Sequence, residues 1–116
     1  VLIMTIQYKN TGINLSTTGT TSVLTAPSNA VLLVKQIQIN NGSTGAVNLS
    51  VQFTDTSASQ TFRIFNEAVA ASSTINLIDK TLVLEASDIL KFTAGTADEI
   101  QGIISYAQLD RSQQNG

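Results

Sequence analysis

The stretch from Ala46 to Thr54 alternates without a break. Val47, Leu49, Val51 and Phe53 share one parity, and Asn48, Ser50, Gln52 and Thr54 share the other. Successive strand residues face opposite sides of a sheet, so this pattern describes a strand with one buried and one wet face. Upstream, Val31 to Val34 is apolar on both parities. The chain then alternates to Asn40, with Ile37 and Ile39 set against Gln36, Gln38 and Asn40. Such a run predicts a strand covered on both sides at its start and on one side at its end. Between the two lies Asn41-Gly42-Ser43-Thr44-Gly45. These residues tolerate positive φ or bond their own backbone in turns, which predicts a β-hairpin.

Further strands are predicted over Met4–Tyr8, Thr20–Thr25, Thr61–Asn66, Ser73–Ile78, Thr81–Leu84, Ile89–Thr93 and Glu99–Leu109, with turns at Lys9–Gly12, Ala26–Asn29, Asp55–Ser59, Glu85–Asp88 and Ala94–Asp98. The only proline, Pro27, falls between strands, where its missing N–H interrupts no ladder. The alanine-rich Glu67–Ser73 is too short to hold as a helix and reads as a loop or strand end. Gly102, inside the last strand, points to a bulge or a close neighbour. About eight to ten short strands with regular turns predict an all-β, two-sheet antiparallel β-sandwich, jelly-roll-like, in preference to a closed barrel. Residues 1–19 read as an N-terminal arm or edge strand, 20–109 as the sandwich and 110–116 as a polar, mobile tail. Met4 is a possible alternative start.

Composition narrows the function. At 116 residues the chain makes one domain, and 42% hydrophobic residues supply a core. Only 12% are charged, against a usual share of roughly 25%, so serine, threonine, asparagine and glutamine carry the surface. A net charge of -2 with six scattered basic residues predicts no nucleic-acid partner. No apolar run approaches the roughly 20 residues of a membrane helix, and no membrane partner is expected. Histidine and cysteine are both absent, which excludes Ser-His-Asp and Cys-His machinery and thiolate or histidine zinc sites. The acids sit mostly in turns, where they cap backbone N–H groups. Calcium is the sharpest ionic alternative, with Glu85, Asp88, Asp98 and Glu99 flanking the turns around Ile89–Thr93. No DxDxDG spacing supports it, and no cofactor is expected. Sugar platforms use exposed Trp and Tyr faces; Trp is absent, and Phe53, Phe92 and Tyr106 fall on core parities.

Phe62 and Phe65 have opposite parities, so one of them is expected to project outward as a contact with a partner chain. Phe62, Arg63 and Phe65, with Ile6 and Tyr8 in the N-terminal arm, are the candidate protein-interface residues. Lysines and bulges protect free sheet edges, and lysines here are few. A Ser/Thr/Asn/Gln surface hydrogen-bonds across an interface without the cost of burying charge. The chain reads as a protein meant to sit against other protein.

TAPSNAVLLVKQIQINNGSTGAVNLSVQFTD (Thr25–Asp55), followed by LVLEASDILKFTAGTADEIQGIISYAQL (Leu82–Leu109), resembles small virion proteins of tailed bacteriophages, notably those of cyanobacterial and marine phages. The shared pattern is a proline turn, a "VLVKxIxIxN" strand, a Ser/Thr-rich hairpin and an "LxLEAxD" turn before a last alternating pair. Ser87 stands where a glycine is common before the aspartate. The resemblance implies a non-enzymatic particle component, first of all a capsid decoration (cement) protein on the outside of the major capsid lattice. It implies contacts with major capsid protein or other virion proteins, a homo-oligomer (trimer), and a place in the virion after assembly in the host cytoplasm. The alternatives are a neck, tail, baseplate or fibre accessory protein, and, from a different class, a receptor- or carbohydrate-binding module.

Overall fold

The computed structural model describes residues 2–113, and among these it contains strands and turns but no helix. The strands are β1 (Leu2–Asn14), β2 (Thr21–Thr25), β3 (Ala30–Asn41), β4 (Val47–Asp55), β5 (Gln60–Val69), β6 (Thr74–Asn76), β7 (Leu82–Leu84), β8 (Ile89–Ala94) and β9 (Ile100–Gln113). They form two antiparallel sheets. Sheet A runs β1-β9-β3, with β6 and β7 sharing the far side of β3; sheet B runs β2-β8-β4-β5. The pairs β1·β9, β2·β8, β3·β6/β7 and β4·β5 are nested, as if one long antiparallel ribbon had been rolled up so that successive pairs fall alternately in sheets A and B. This is the jelly-roll wrapping of a β-sandwich.

That wrapping overturns the predicted hairpin. β3 lies in sheet A and β4 in sheet B, and they do not pair. Asn41–Gly45 is a corner that carries the chain from one sheet to the other. The core explains the choice: Leu32, Val34, Ile37 and Ile39 of β3 face Val47, Leu49 and Val51 of β4 across the sandwich, all buried in one cluster. Stacking the apolar parities face to face removes both from water, which side-by-side pairing alone would not do. Phe92 is fully buried, and Phe53 and Tyr106 pack against the same cluster, as their parities predict.

Two buried polar side chains fasten the ends. Asn41 donates from Nδ2 to the carbonyl oxygens of Gly45 (3.0 Å), Val69 (3.0 Å) and Ala70 (3.3 Å), and its Oδ1 accepts from the Ser43 amide (2.9 Å). It thereby ties the β3–β4 corner to the end of β5. Asp88 accepts at Oδ1 from the Thr56 amide (3.2 Å) and at Oδ2 from the Glu85 amide (2.9 Å). Its carbonyl accepts from the Ala26 amide (2.9 Å), so three turns converge on it. Asp88 follows Ser87, whose φ of 68° is left-handed. Serine thus adopts the turn conformation for which glycine is the usual residue.

Gly102 is a close-approach site. Its register with Ile39 and Ile13 is unbroken, and a Cβ there would collide with the Gln38 carbonyl oxygen. Glu67–Ser73 is a strand end followed by a loop, with Glu67–Val69 closing β5. Two local expectations change. Lys9–Gly12 does not turn, because β1 continues through it opposite Ile103–Tyr106. Asp110–Gln113, expected as tail, continues β9 opposite Leu2–Thr5, while residues 114–116 and Val1 lie outside the described residues.

Candidate protein-contact surface

In an antiparallel sheet, residues directly opposite each other project from the same face. On the outer face of sheet A, one cross-strand row is Val83·Leu33·Ala107·Tyr8 and the next is Val31·Leu109·Ile6. Every member is apolar or aromatic. Tyr8 is 86% exposed, Ile6 58% and Val83 47%. Val31, Leu33 and Leu109 are half-buried by their neighbours, and Ala107 is covered. Further along the same face polar residues predominate, in the rows Gln36·Ser105·Asn10 and Asn40·Gln101·Asn14, with the exposed Ile103 between Gln38 and Gly12. These residues bond each other, Gln36 to Gln38 (3.3 Å) and Gln101 to Asn14 (3.5 Å), and Asn40 reaches Thr74 (3.0 Å). The outer face of sheet A is therefore half apolar and half amide-lined. A shallow hollow of about 280 Å³ borders the apolar half, lined by Tyr8, Lys9, Asn10, Lys35, Ser105 and Tyr106, two cations and no carboxylate.

The doubly apolar start of β3 is the signal that finds this surface in the sequence. The outward parity of that run, Val31 and Leu33, lies on the outer face, and no element among the described residues covers it.

The five candidate contact residues fall into two groups. Ile6 and Tyr8 join the apolar half-face. Phe62, Arg63 and Phe65 lie on β5, in the other sheet and on the opposite flank, since β1 lies over β2 and β5 ends sheet B away from it. The expected opposite facing of Phe62 and Phe65 is also overturned. Val51 pairs Phe65, Gln52 pairs Arg63 and Phe53 pairs Phe62, which leaves Ile64 as the extra residue of a β-bulge. One extra residue reverses parity, so Phe62 and Phe65 share the inward face. Phe65 packs against the core, whereas Phe62 lies where the second sheet no longer covers β5 and stays 50% exposed. Ile64 and Phe65 line an apolar cleft of about 150 Å³ with Leu77, Ile78 and Leu82, floored by Ile37 and Val51. Arg63 projects outward beside Gln52.

The proposed calcium ligands do not converge. Glu85 and Asp88 precede β8 and Asp98 and Glu99 follow it, at opposite ends of the strand. Both Asp88 carboxylate oxygens are occupied by backbone amides. Among the described residues no group of acids is placed to hold a metal.

No protein-family model matches the sequence, and no curated protein matches it in sequence. Solved structures share the fold at low identity. A chain of the infectious bursal disease virus (IBDV) particle is similar with a TM-score of 0.56 and 11% identity, over 90% of this chain but only 31% of that one. A chain of the acid-stable capsid of Helicobacter pylori bacteriophage KHP30 is similar with a TM-score of 0.55 and 10% identity, over 98% of this chain and 100% of that one. A chain of the disulfide-linked pili that form Bacillus endospore appendages follows at 0.53 and 14%, over 96% and 92%. The first of these matches makes this chain less than a third of its relative's length; the KHP30 match is end to end.

Proposed function

We propose that this chain is a non-enzymatic structural component of a virion, acting as a capsid decoration (cement) protein on the outer surface of the major capsid lattice. The observation that carries the reading is the uncovered apolar half of the sheet A face, built by Ile6, Tyr8, Val31, Leu33, Val83 and Leu109. An apolar parity that the core does not use is a surface for another protein. The phage-protein sequence pattern supports the virion reading. So does the likeness of fold to a chain of the KHP30 capsid over nearly the whole of both chains.

The mechanism is burial on the lattice. Fully burying one aliphatic or aromatic side chain contributes about 1.5–3 kcal/mol, and the half-face offers several such chains without buried charge. Lys9 and Lys35 beside it favour a lattice surface that presents carboxylates. A protein that binds the assembled shell and not its dissociated subunits stabilises the shell by mass action. Copies clustered in threes at local threefold positions are the arrangement that the sequence resemblance implies.

Particles stripped of the protein are expected to lose their contents at lower temperature than intact ones, and adding it back restores their resistance. Unchanged resistance removes the cementing role. Copy number then distinguishes the remaining virion positions: a protein of the shell is present many times per particle, whereas a neck, tail, baseplate or fibre part is present few times.

A further inference from the structure

Most flanks of this sandwich carry a device that blocks further strand pairing. β2 is five residues long and bulged between Ser22 and Leu24. β6 and β7 have three residues each. β5 is longer, but the bulge at Ile64 breaks its register, and Arg63 and Glu67 add charge. β1 has none of these. It is 13 residues long and pairs with β9 one-to-one from Leu2↔Gln113 to Asn14↔Gln101 without a shift. It contains no proline and a single charge, Lys9. Among the described residues no strand occupies its other side. Natural sandwiches do not leave so long and regular an edge open to solvent.

We infer that this edge pairs with the same edge of a second copy, β1 against β1 across a two-fold axis, which joins two copies of sheet A into one continuous sheet. Centred on Tyr8, the midpoint of β1, antiparallel pairing overlaps the strand along its whole length. Tyr8 then faces its own counterpart, Ile6 faces Asn10, Thr5 faces Thr11 and Gln7 faces Lys9. The lone cation meets an amide, and no charge meets its like. Ile6 and Tyr8 project from the same face in both copies, so the apolar Tyr8 row runs on across the axis while Ile6 meets the amide of Asn10. A strand pair of this length supplies roughly a dozen main-chain hydrogen bonds, comparable with the roughly ten of a typical protein interface. Both edges are already ordered within their sheets, whereas an extended segment of a different protein would lose entropy on docking. One isologous contact satisfies both edges at once. The contact is independent of what covers the apolar half-face, and it links copies in pairs whether or not they also cluster in threes.

The chain has no cysteine, so an introduced thiol reports on one position. Tyr8→Cys sets the two thiols opposite one another, with Cβ atoms about 4.5–5.5 Å apart and near disulfide reach. Mild oxidation of the full chain should convert most of it to covalent dimer. Ile6→Cys and Asn10→Cys each separate like thiols by roughly 13 Å along the strands and should not cross-link, whereas the two combined should. By sedimentation, Gln7→Lys opposes the new ammonium to Lys9 twice per dimer and should weaken association about fivefold. Gln7→Glu should tighten it by a similar factor. Both effects should shrink in about 1 M salt. A monomer at every concentration, a Tyr8→Cys chain that does not cross-link, or equal cross-linking at positions 6, 8 and 10 would overturn the pairing. Gln7 variants of opposite charge that shift association the same way would overturn it too.

Discussion

The outer faces of the two sheets are built from the same strand grammar and end up opposite in character. On sheet B the outward rows are Thr54·Thr61, Gln52·Arg63, Ser50·Asn66 and Asn48·Ala68 across β4–β5, with Lys91 and Thr93 continuing them onto β8. Thr54 and Thr61 share a 3.0 Å hydroxyl hydrogen bond, and Thr20 and Thr93 one of 2.9 Å. Only Ile89 and Ala68 interrupt this polar surface. On sheet A the corresponding positions hold isoleucine, leucine, valine and tyrosine over half the face. Inward residues of both sheets supply the core, and none of the outer rows contributes to it. The difference is a residue choice that the core does not account for, and the proposed contact rests on it.

The contrast can be broken from either side. The largest effect is expected from Ile6→Asp combined with Tyr8→Asp. Both side chains are exposed, so the fold should persist while binding to particles falls about a hundredfold or more, near 3 kcal/mol, in a co-sedimentation assay. Next comes the corner that holds the two sheets in register. Asn41→Ala removes the donor to the buried carbonyl oxygen of Val69 and to the part-buried one of Gly45 and should lower unfolding free energy in urea by about 2–3 kcal/mol. Ser87→Gly should act the other way, gaining about 1 kcal/mol by relieving a left-handed serine, and read as a raised midpoint in the same titration. Smallest of all is Ser50→Asp on the outer face of sheet B, expected to change stability and particle binding by less than about 0.5 kcal/mol. A loss of binding there as large as that at Ile6 and Tyr8 would erase the distinction between the faces.

Fold class and most strand positions are legible in the sequence because period-two alternation is a local signal, and β2, β3, β4, β7, β8 and β9 lie where it places them. Pairing is not local. Asn41–Gly45 has the composition of a hairpin loop and serves as a corner, because β3 finds its neighbours in β9, β6 and β7. Turn residues do not reveal whether the chain returns beside itself or crosses to a second layer. Lys9–Gly12 fails for a related reason: pairing with β9 overrides the turn preference of four residues. The parity of Phe62 and Phe65 fails because a single inserted residue, Ile64, reverses every facing beyond it, and nothing in TFRIFN marks the insertion. Asn41 and Asp88 are recognisable as turn residues, but their burial depends on three segments meeting there. Of the contact surface, Ile6 and Tyr8 are legible, and so is the excess of apolar residues in Val31–Val34. That these share one half-face follows only from the β1–β9–β3 register.

The nested pairing has a kinetic consequence. Thr56–Ser59 is the tip of the rolled ribbon, so β4 and β5 meet after closing a short loop, whereas β1 and β9 meet only when almost the entire chain separates them. Loop-closure entropy orders such contacts from the tip outward. In pulse-labelled hydrogen exchange during refolding, amides of β4 and β5 should gain protection first and those of β1 and β9 last. The apolar half-face of sheet A, which needs β1 and β9 beside β3, is then completed only once the rest of the slab is closed.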